Sequence, residues 1–144
     1  SRGERQQPPL RAAGVLLAPS ICYEDAFGEE LIDFLPRAEL LVNGSNNAWY
    51  GDSFAPHQHL QISRMRSIET GRDLVRATTN GISAIVDYRG RILERSPQFQ
   101  EAVISARVQP RSGATPYVRF GNLPVLLLAA GLLWLAFLRR RVLD

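Results

Sequence analysis

The apolar and polar positions along the chain predict an α/β fold. Residues 14–21 (GVLLAPSI) and 39–42 (ELLV) are short apolar runs of the kind that form buried strands. Between them, residues 26–35 carry apolar side chains at helical spacing and are followed by Pro36, which predicts a short amphipathic helix. Residues 57–72 predict a longer helix that packs on the surface of the domain.

Several strands are predicted after this helix. Residues 74–78 and 82–88 are rich in β-branched side chains and are joined by an Asn-Gly turn. Further strands are predicted at 91–94 and 101–108. Strand, helix, strand, helix and then a run of strands is the order of a layered α/β domain. Residues 1–13 show no apolar period and begin with serine, so we expect a loop or truncated lead-in there.

The sharpest change in composition comes near the end of the chain. Residues 120–138 contain no charged side chain, and three arginines follow at 139–141. About 20 apolar residues cross the hydrocarbon layer of a bilayer as a helix. A buried helix of a water-soluble core normally has a polar face, and this stretch has none. The pattern predicts a transmembrane helix at 120–138 and, by the positive-inside rule, a cytoplasmic tail at 139–144.

Composition narrows the possible chemistry. The net charge is +3, and all 17 basic residues are arginine, so the chain contains no lysine. One cysteine excludes an internal disulfide. The glycines stand singly at predicted turns, which argues against a phosphate-binding loop, and we predict no cofactor. His57 and His59 are two residues apart on a predicted helix and cannot converge on one ion, so we predict no metal site.

Cys22 is the candidate nucleophile. It follows a predicted buried strand and precedes a helix, where helix N–H groups favour a thiolate. The backbone N–H of Tyr23 is placed to stabilise an oxyanion, and Glu24 lies on the same side as Cys22 in an extended chain. Two alternatives stay open. A lone cysteine is often a small buried apolar residue, and a glutamate at a helix start is stabilised by the helix dipole alone.

Two further groups of residues are candidates for the same edge of the sheet. A thiol needs a base, and His57 or His59 would give a Cys–His arrangement as in thiol proteases, although packing on the helix surface is the simpler interpretation. Trp49 and Tyr50 lie in an Asn/Gly-rich loop after a strand. We expect them to line an apolar pocket or to contact a membrane surface, with packing against the core as the alternative.

Several segments together resemble a known family. ICYED at 21–25, SNNAWYGDS at 45–53 and the long segment 56–87 are similar to the apolipoprotein N-acyltransferases of Gram-negative bacteria, which are members of the nitrilase superfamily. TPYVRFGN at 115–122, which leads into the apolar stretch, fits the same family. The resemblance covers about residues 14–141. Soluble nitrilases and amidases share the Cys-Tyr-Glu neighbourhood but do not end in a membrane span.

The resemblance implies a fold, a location and an activity. Residues 14–119 would be the C-terminal part of a periplasmic α-β-β-α sandwich, followed by one transmembrane helix of the inner membrane. An acyl chain would pass from a phospholipid, through a thioester on Cys22, to the N-terminal amine of a diacylglyceryl-cysteine apolipoprotein. Glu24 matches a supporting glutamate, and Tyr23 and Trp49 match aromatic residues of the substrate-binding region. The implied partners are these two substrates and the membrane, with no nucleic acid.

One departure from the family bears on activity. The family uses a Glu-Lys-Cys triad whose glutamate and lysine lie well upstream of the nucleophile, and this chain has 21 residues before Cys22 and no lysine. We therefore expect a C-terminal fragment that is inactive by itself. Two other hypotheses stay open: a membrane-tethered nitrilase-type amidase, and a non-enzymatic membrane-anchored module in which Cys22 is only a core residue.

Overall fold

The computed structural model describes the backbone of residues 7–143 and the side chains of residues 7–140. The strands of this part of the chain are β1 (Leu10–Ala12), β2 (Val15–Ile21), β3 (Leu40–Ser45), β4 (Leu74–Thr78), β5 (Ala84–Val86) and β6 (Ile92–Arg95). Its α-helices are α1 (Gly28–Ile32), α2 (Ala55–Thr70), α3 (Pro116–Phe120) and α4 (Leu123–Leu143). Two short 3₁₀ turns span Cys22–Ala26 and Ala48–Tyr50.

All six strands form one mixed sheet in which they lie in chain order. β2, β3 and β4 are parallel and occupy the middle, whereas β1, β5 and β6 are antiparallel to their neighbours. Ile21 lies opposite Gly44, and Ser45 opposite Thr78. The carboxyl ends of the three parallel strands therefore reach the same edge of the sheet, which is where parallel α/β sheets place their sites.

The hydrophobic core lies between the sheet and α2. Ala18, Leu41 and Leu74 stand side by side on neighbouring strands and are buried. Leu60 of α2 and Leu35, just after α1, pack into the same cluster. The predicted α/β class is confirmed, and the described residues contain one sheet and one helical layer.

Helix α2 buries a different face from the one that its apolar residues suggest. The helix has Pro56 in its first turn and ends at Gly71, whose φ of 65° closes it in the left-handed conformation. Leu60 is buried together with the polar residues His59, Ser63, Ser67 and Thr70. Met65 and Ile68 are about half exposed instead. The predicted extent of this helix is confirmed, but its inner face is largely polar.

Two sequence-based predictions at the ends of the sheet are wrong. Residues 1–13 are predicted to be a loop or truncated lead-in, yet within them Leu10–Ala12 forms a strand that pairs with β2. The two residues of the turn between these strands, Ala13 and Gly14, both have positive φ, as hairpin turns require. Residues 1–6 lie outside the described part. Residues 101–108 alternate as a strand would but form none. A strand needs a partner edge, and Val103 is instead 98% exposed.

The predicted helix at 26–35 is shorter and divided. The chain makes the 3₁₀ turn Cys22–Ala26 first, and α1 then covers only Gly28–Ile32. Gly28 has no room for a side chain, because a Cβ there would meet the guanidinium of Arg66 and the hydroxyl of Tyr117. α1 therefore begins in close contact with α2 and α3.

The C-terminal apolar stretch is a helix with a separate lead-in. Thr115 caps α3 by accepting a hydrogen bond from the N–H of Val118, and the chain then turns at Gly121 with a φ of 53°. Asn122 donates a hydrogen bond of 2.9 Å to Glu29 of α1, just before α4 begins. Residues Leu123–Arg140 are long and apolar enough to cross a membrane, with a mean hydropathy of 1.7 and no burial within the fold.

The packing of β3 leads to a stability prediction. Leu41 is 1% exposed in the middle of the core, so Leu41→Ala is expected to lower the free energy of unfolding by about 2–5 kcal/mol. Urea denaturation of the detergent-solubilised chain, followed by far-ultraviolet circular dichroism, measures this. Val103→Ala is the control, since an exposed apolar side chain contributes within about 0.5 kcal/mol. Equal losses in the two variants would contradict the assigned core.

Candidate active site

Cys22 lies at the carboxyl end of β2 and begins the 3₁₀ turn Cys22–Ala26. Its backbone has a φ of 53°, in the left-handed region, and its side chain is partly exposed. For a residue other than glycine this conformation costs about 1–2 kcal/mol. Such strain persists only where the surrounding structure enforces it, and it is concentrated at functional sites.

Glu24 closes the turn that Cys22 begins. Its carboxylate Oε2 accepts a hydrogen bond of 2.6 Å from the N–H of Ile21, and its carbonyl accepts one of 3.0 Å from the N–H of Phe27. This contact matches the helix-start role that was one of the two interpretations of Glu24. Its supporting role in catalysis stays a prediction.

Trp49 and Cys22 meet at one backbone atom. The carbonyl oxygen of Asn46 accepts a hydrogen bond of 3.0 Å from the indole Nε1 of Trp49 and lies 4.0 Å from Cys22 Sγ. Trp49 is 78% exposed, and Tyr23 is about half exposed beside the nucleophile turn. The fold thus brings together all four residues that the sequence proposes for the site, Cys22, Tyr23, Glu24 and Trp49.

Polar side chains are buried directly beneath Cys22. One step beyond Ala18, Leu41 and Leu74 toward the carboxyl edge, Ser20, Asn43 and Arg76 stand opposite one another on the same three strands. All three are buried, and Arg76 is 1% exposed. The inner face of the sheet therefore changes from apolar to polar at the edge that carries Cys22. This row of Ser20, Asn43 and Arg76 is called the polar row below.

Asp25 connects the 3₁₀ turn Cys22–Ala26 to the polar row. Its carboxylate lies 3.2 Å from Arg76 Nη1 and 2.8 Å from His59 Nε2, and it accepts a hydrogen bond from the hydroxyl of Ser63. Asp25 is 2% exposed. Breaking a buried ion pair by removing one partner typically costs about 3–5 kcal/mol, so these groups depend on one another.

Arg76 carries the main positive charge in this region. Burial lowers the pKa of Arg76, whereas the negative charges of Asp25 and of ionised Cys22 act in the opposite direction. The guanidinium is thus within electrostatic reach of the thiol. Every hydrogen bond that the Arg76 guanidinium makes to residues 7–140 comes from Nη1. Its Nε and Nη2 have no partner among those residues.

Neither histidine is arranged as a base for Cys22. His59 is buried and paired with Asp25, with its ring 5.4 Å from that of Tyr23, whereas His57 stacks on Phe54 at 5.9 Å. Among the hydrogen bonds of residues 7–140, none joins an imidazole to the thiol. The geometry favours a positioning role for His59 over the Cys–His interpretation. Within the described residues, no group of three or more His, Cys, Asp or Glu side chains is placed to hold a metal.

Sequence reasoning missed Asp25, Asn43 and Arg76. The available signal was the position of Asn43 and Arg76 inside the apolar strands LLVNGS and LVRAT, where a polar side chain on the buried face needs a partner. The partner itself could not be found this way, because Asp25 and Arg76 are 51 residues apart.

Comparisons with known proteins agree with the fold. The carbon-nitrogen hydrolase family model matches residues 1–117, so the chain belongs to that family. Among solved structures, a carbon-nitrogen hydrolase from Helicobacter pylori G27 aligns with a TM-score of 0.61 at 16% identity, over 70% of this chain and 43% of that one. A nitrilase-superfamily amidase from Nesterenkonia AN1 aligns with a TM-score of 0.54 at 25% identity, over 69% and 40%.

Curated relatives give a narrower similarity. The chain is 57% identical over 136 residues to the apolipoprotein N-acyltransferase of Nitrosomonas europaea, covering 94% of this chain and 27% of the relative. It is 48% identical over 139 residues to that of Methylococcus capsulatus, covering 96% and 28%. The resemblance inferred from the sequence motifs is confirmed. The chain spans about a quarter of the length of these relatives.

The left-handed backbone of Cys22 leads to a prediction. Glycine adopts this conformation without steric cost, so Cys22→Gly is expected to be about 1 kcal/mol more stable to urea than Cys22→Ala, which also lacks the thiol. Ala77→Gly in the exposed part of β4 is the control and should lose about 0.5–1 kcal/mol. A Cys22→Gly variant no more stable than Cys22→Ala would mean that the turn is unstrained.

Proposed function

We propose that this chain provides the nucleophile of an N-acyltransferase that moves a fatty acyl chain from a phospholipid to the N-terminal amine of diacylglyceryl-cysteine apolipoproteins. The observation that carries the proposal is the 57% identity to an apolipoprotein N-acyltransferase across 94% of the chain. The position of Cys22 at the carboxyl edge of the parallel strands, in a strained turn, supports the assignment of the nucleophile.

The proposed reaction proceeds in two acyl transfers. The Cys22 thiolate attacks the ester carbonyl of the phospholipid, the C–S bond forms, and the C–O bond breaks to release a lysophospholipid that takes up a proton. The amine of the apolipoprotein then attacks the thioester, and the C–N bond forms as the C–S bond breaks. The proton that the nitrogen loses passes through the base to the leaving sulfur. The backbone N–H of Tyr23 is the proposed donor to the oxyanion in both steps.

The base and the oxyanion lysine of a Glu-Lys-Cys triad are proposed to come from outside this chain. The sequence has no lysine, and the histidines are engaged elsewhere. A thiol without a base exchanges acyl groups slowly. The chain is therefore proposed to act within a protein of the length of its relatives.

The lipid substrate is consistent with the surface around Cys22. Trp49, Phe54, Ile21 and Phe27 expose large apolar areas at or near the carboxyl edge. Exposed aromatic residues favour the interface between water and lipid. Helix α4 is the proposed inner-membrane anchor, with the arginines at its end in the cytoplasm and the sheet in the periplasm.

A chimaera tests the proposed activity. This chain replaces the matching 136 residues of the Nitrosomonas europaea relative, and the purified chimaera is given phospholipid vesicles and a synthetic diacylated lipopeptide. Triacylated lipopeptide, identified by mass spectrometry, is the expected product. Cys22→Ser in the same chimaera should lower the rate by at least about a hundredfold, because a hydroxyl is a much weaker nucleophile at neutral pH.

The other outcomes separate the alternative functions. Free fatty acid without triacylated product would identify a hydrolase of the amidase type. Full acyl transfer by the Cys22→Ser and Cys22→Ala chimaeras would mean that Cys22 is only structural and that the chain is a non-enzymatic module.

The isolated chain gives a second prediction. Mixed with phospholipid vesicles, it should show no mass increase equal to an acyl chain on Cys22, since the proposed base and lysine are absent from its sequence. Intact-mass spectrometry measures this, with the active chimaera as the positive control. A stable thioester on the isolated chain would show that it activates Cys22 without those residues.

A further inference from the structure

The turn that carries Cys22 is fastened at two points to one side chain of β4. At one point, Arg76 Nη1 donates directly to Asp25 at 3.2 Å. At the other, Nη1 donates to Asn43 Oδ1 at 2.7 Å, and Asn43 Nδ2 donates to the carbonyl of Cys22 at 3.1 Å. Arg76 Nη1 therefore contacts the carboxylate of Asp25 directly and is linked through Asn43 to the carbonyl of Cys22.

We propose that Arg76 and Asn43 are positioning residues for Cys22, which hold its backbone in the left-handed conformation and balance the buried charge beside its thiol. This proposal rests on the proposed function in one respect, namely that Cys22 is the nucleophile. Arg76 and Asn43 lie beneath the turn and act on Cys22 through its backbone and through Asp25.

The orientation of Asn43 follows from the chemistry of arginine. A guanidinium has only donors, so the Asn43 side chain must present its oxygen to Arg76. Its NH₂ group then faces the other way, toward the carbonyl of Cys22 and the hydroxyl of Ser20 at 3.0 Å. Arg76 thus determines which group of Asn43 is offered to the turn. Without a donor at position 76, the side-chain amide of Asn43 would be free to rotate, and its hydrogen bond to the carbonyl of Cys22 would be lost.

The charge balance is the second part of the argument. Asp25 is buried three residues from Cys22, and Arg76 supplies the buried positive charge that compensates it. Without Arg76, the negative charge of Asp25 would disfavour a thiolate at Cys22. The other titratable or charged groups on the elements packed around the turn are Tyr23 and Glu24 in the turn itself, Glu29 and Glu30 on α1, and His57, His59, Arg64, Arg66 and Glu69 on α2. β2 and β3 contribute no charged side chain.

The test measures the thiol directly and does not need acyl transfer. Cys22 is the only cysteine, so iodoacetamide labels one site in the full, detergent-solubilised chain. The alkylation rate is followed by intact mass across about pH 6–10. Arg76→Gln removes the charge but keeps a polar side chain; its rate at neutral pH should fall about tenfold, and the inflection of its pH–rate profile should move to higher pH.

Arg72 offers a matched control. Arg72 is 2% exposed and bonds to the carbonyls of Ala38 and Gly113, and the charges that act on it are those of Glu39 and Arg111. Arg72→Gln should lower the unfolding temperature but leave the pH–rate profile of Cys22 unchanged. Arg76→Lys, which restores the charge, should return the inflection toward that of the unmodified chain.

Two results would overturn the proposal. One is an unchanged pH–rate profile in Arg76→Gln with the chain folded by circular dichroism; the other is an equal shift in Arg72→Gln. If Arg76→Gln does not fold, Arg76→Lys and Asn43→Ser are compared instead. Arg76→Lys should keep the pH–rate inflection of the unmodified chain. Asn43→Ser should also keep that inflection, but iodoacetamide should alkylate its Cys22 at a different rate. A chimaera that transfers no acyl group would disprove the proposed function and leave these alkylation results unaffected.

Discussion

The buried ion pair between Asp25 and Arg76 is the interaction on which the site depends. The three parallel strands are apolar on their inner face at Ala18, Leu41 and Leu74, and one pleat further on they become polar. An uncompensated charge there would cost several kcal/mol, so the ion pair with Arg76 stabilises the fold with Asp25 in this position. Because Asp25 belongs to the same turn as Cys22, satisfying the buried charge also fixes where the thiol lies. The stability of this edge of the core and the position of the Cys22 thiol therefore depend on the same ion pair.

This arrangement explains why helix α2 is so polar on its inner face. A helix over a uniformly apolar sheet would present leucine and isoleucine, whereas α2 presents His59 and Ser63 where it covers the polar row. Its apolar contact, Leu60, points at the apolar part of the same sheet. His59, Ser63 and Leu60 therefore each match the part of the site or the sheet that they contact. The exposed Met65 and Ile68 of α2 have no such match and contribute little to the core.

Much of this fold was predictable from the sequence, because strands and helices leave local patterns. β4 has the predicted bounds, and Cys22 and Trp49 lie where the motifs predict them, directly after β2 and in a loop after β3. Local patterns failed where the outcome depends on distant partners. Residues 101–108 have strand-like alternation but no edge to pair with, and Asp25 gives no sign that its counter-charge lies on β4. A polar residue in a strand is commonly assigned to the exposed face, which is the reverse of what Asn43 and Arg76 do.

The hydrogen bond between Asn122 and Glu29 has a consequence for how a lipid would be reached. Asn122 immediately precedes the apolar helix, and Glu29 belongs to α1, which contacts the turn of Cys22. The start of the proposed membrane anchor is therefore separated from the nucleophile turn by one short helix. In a bilayer, the first residues of a membrane-spanning helix lie in the interfacial region between water and the hydrocarbon layer. Under the proposed function, the hydrogen bond would keep α1, and the Cys22 turn that contacts it, close to the surface of that membrane.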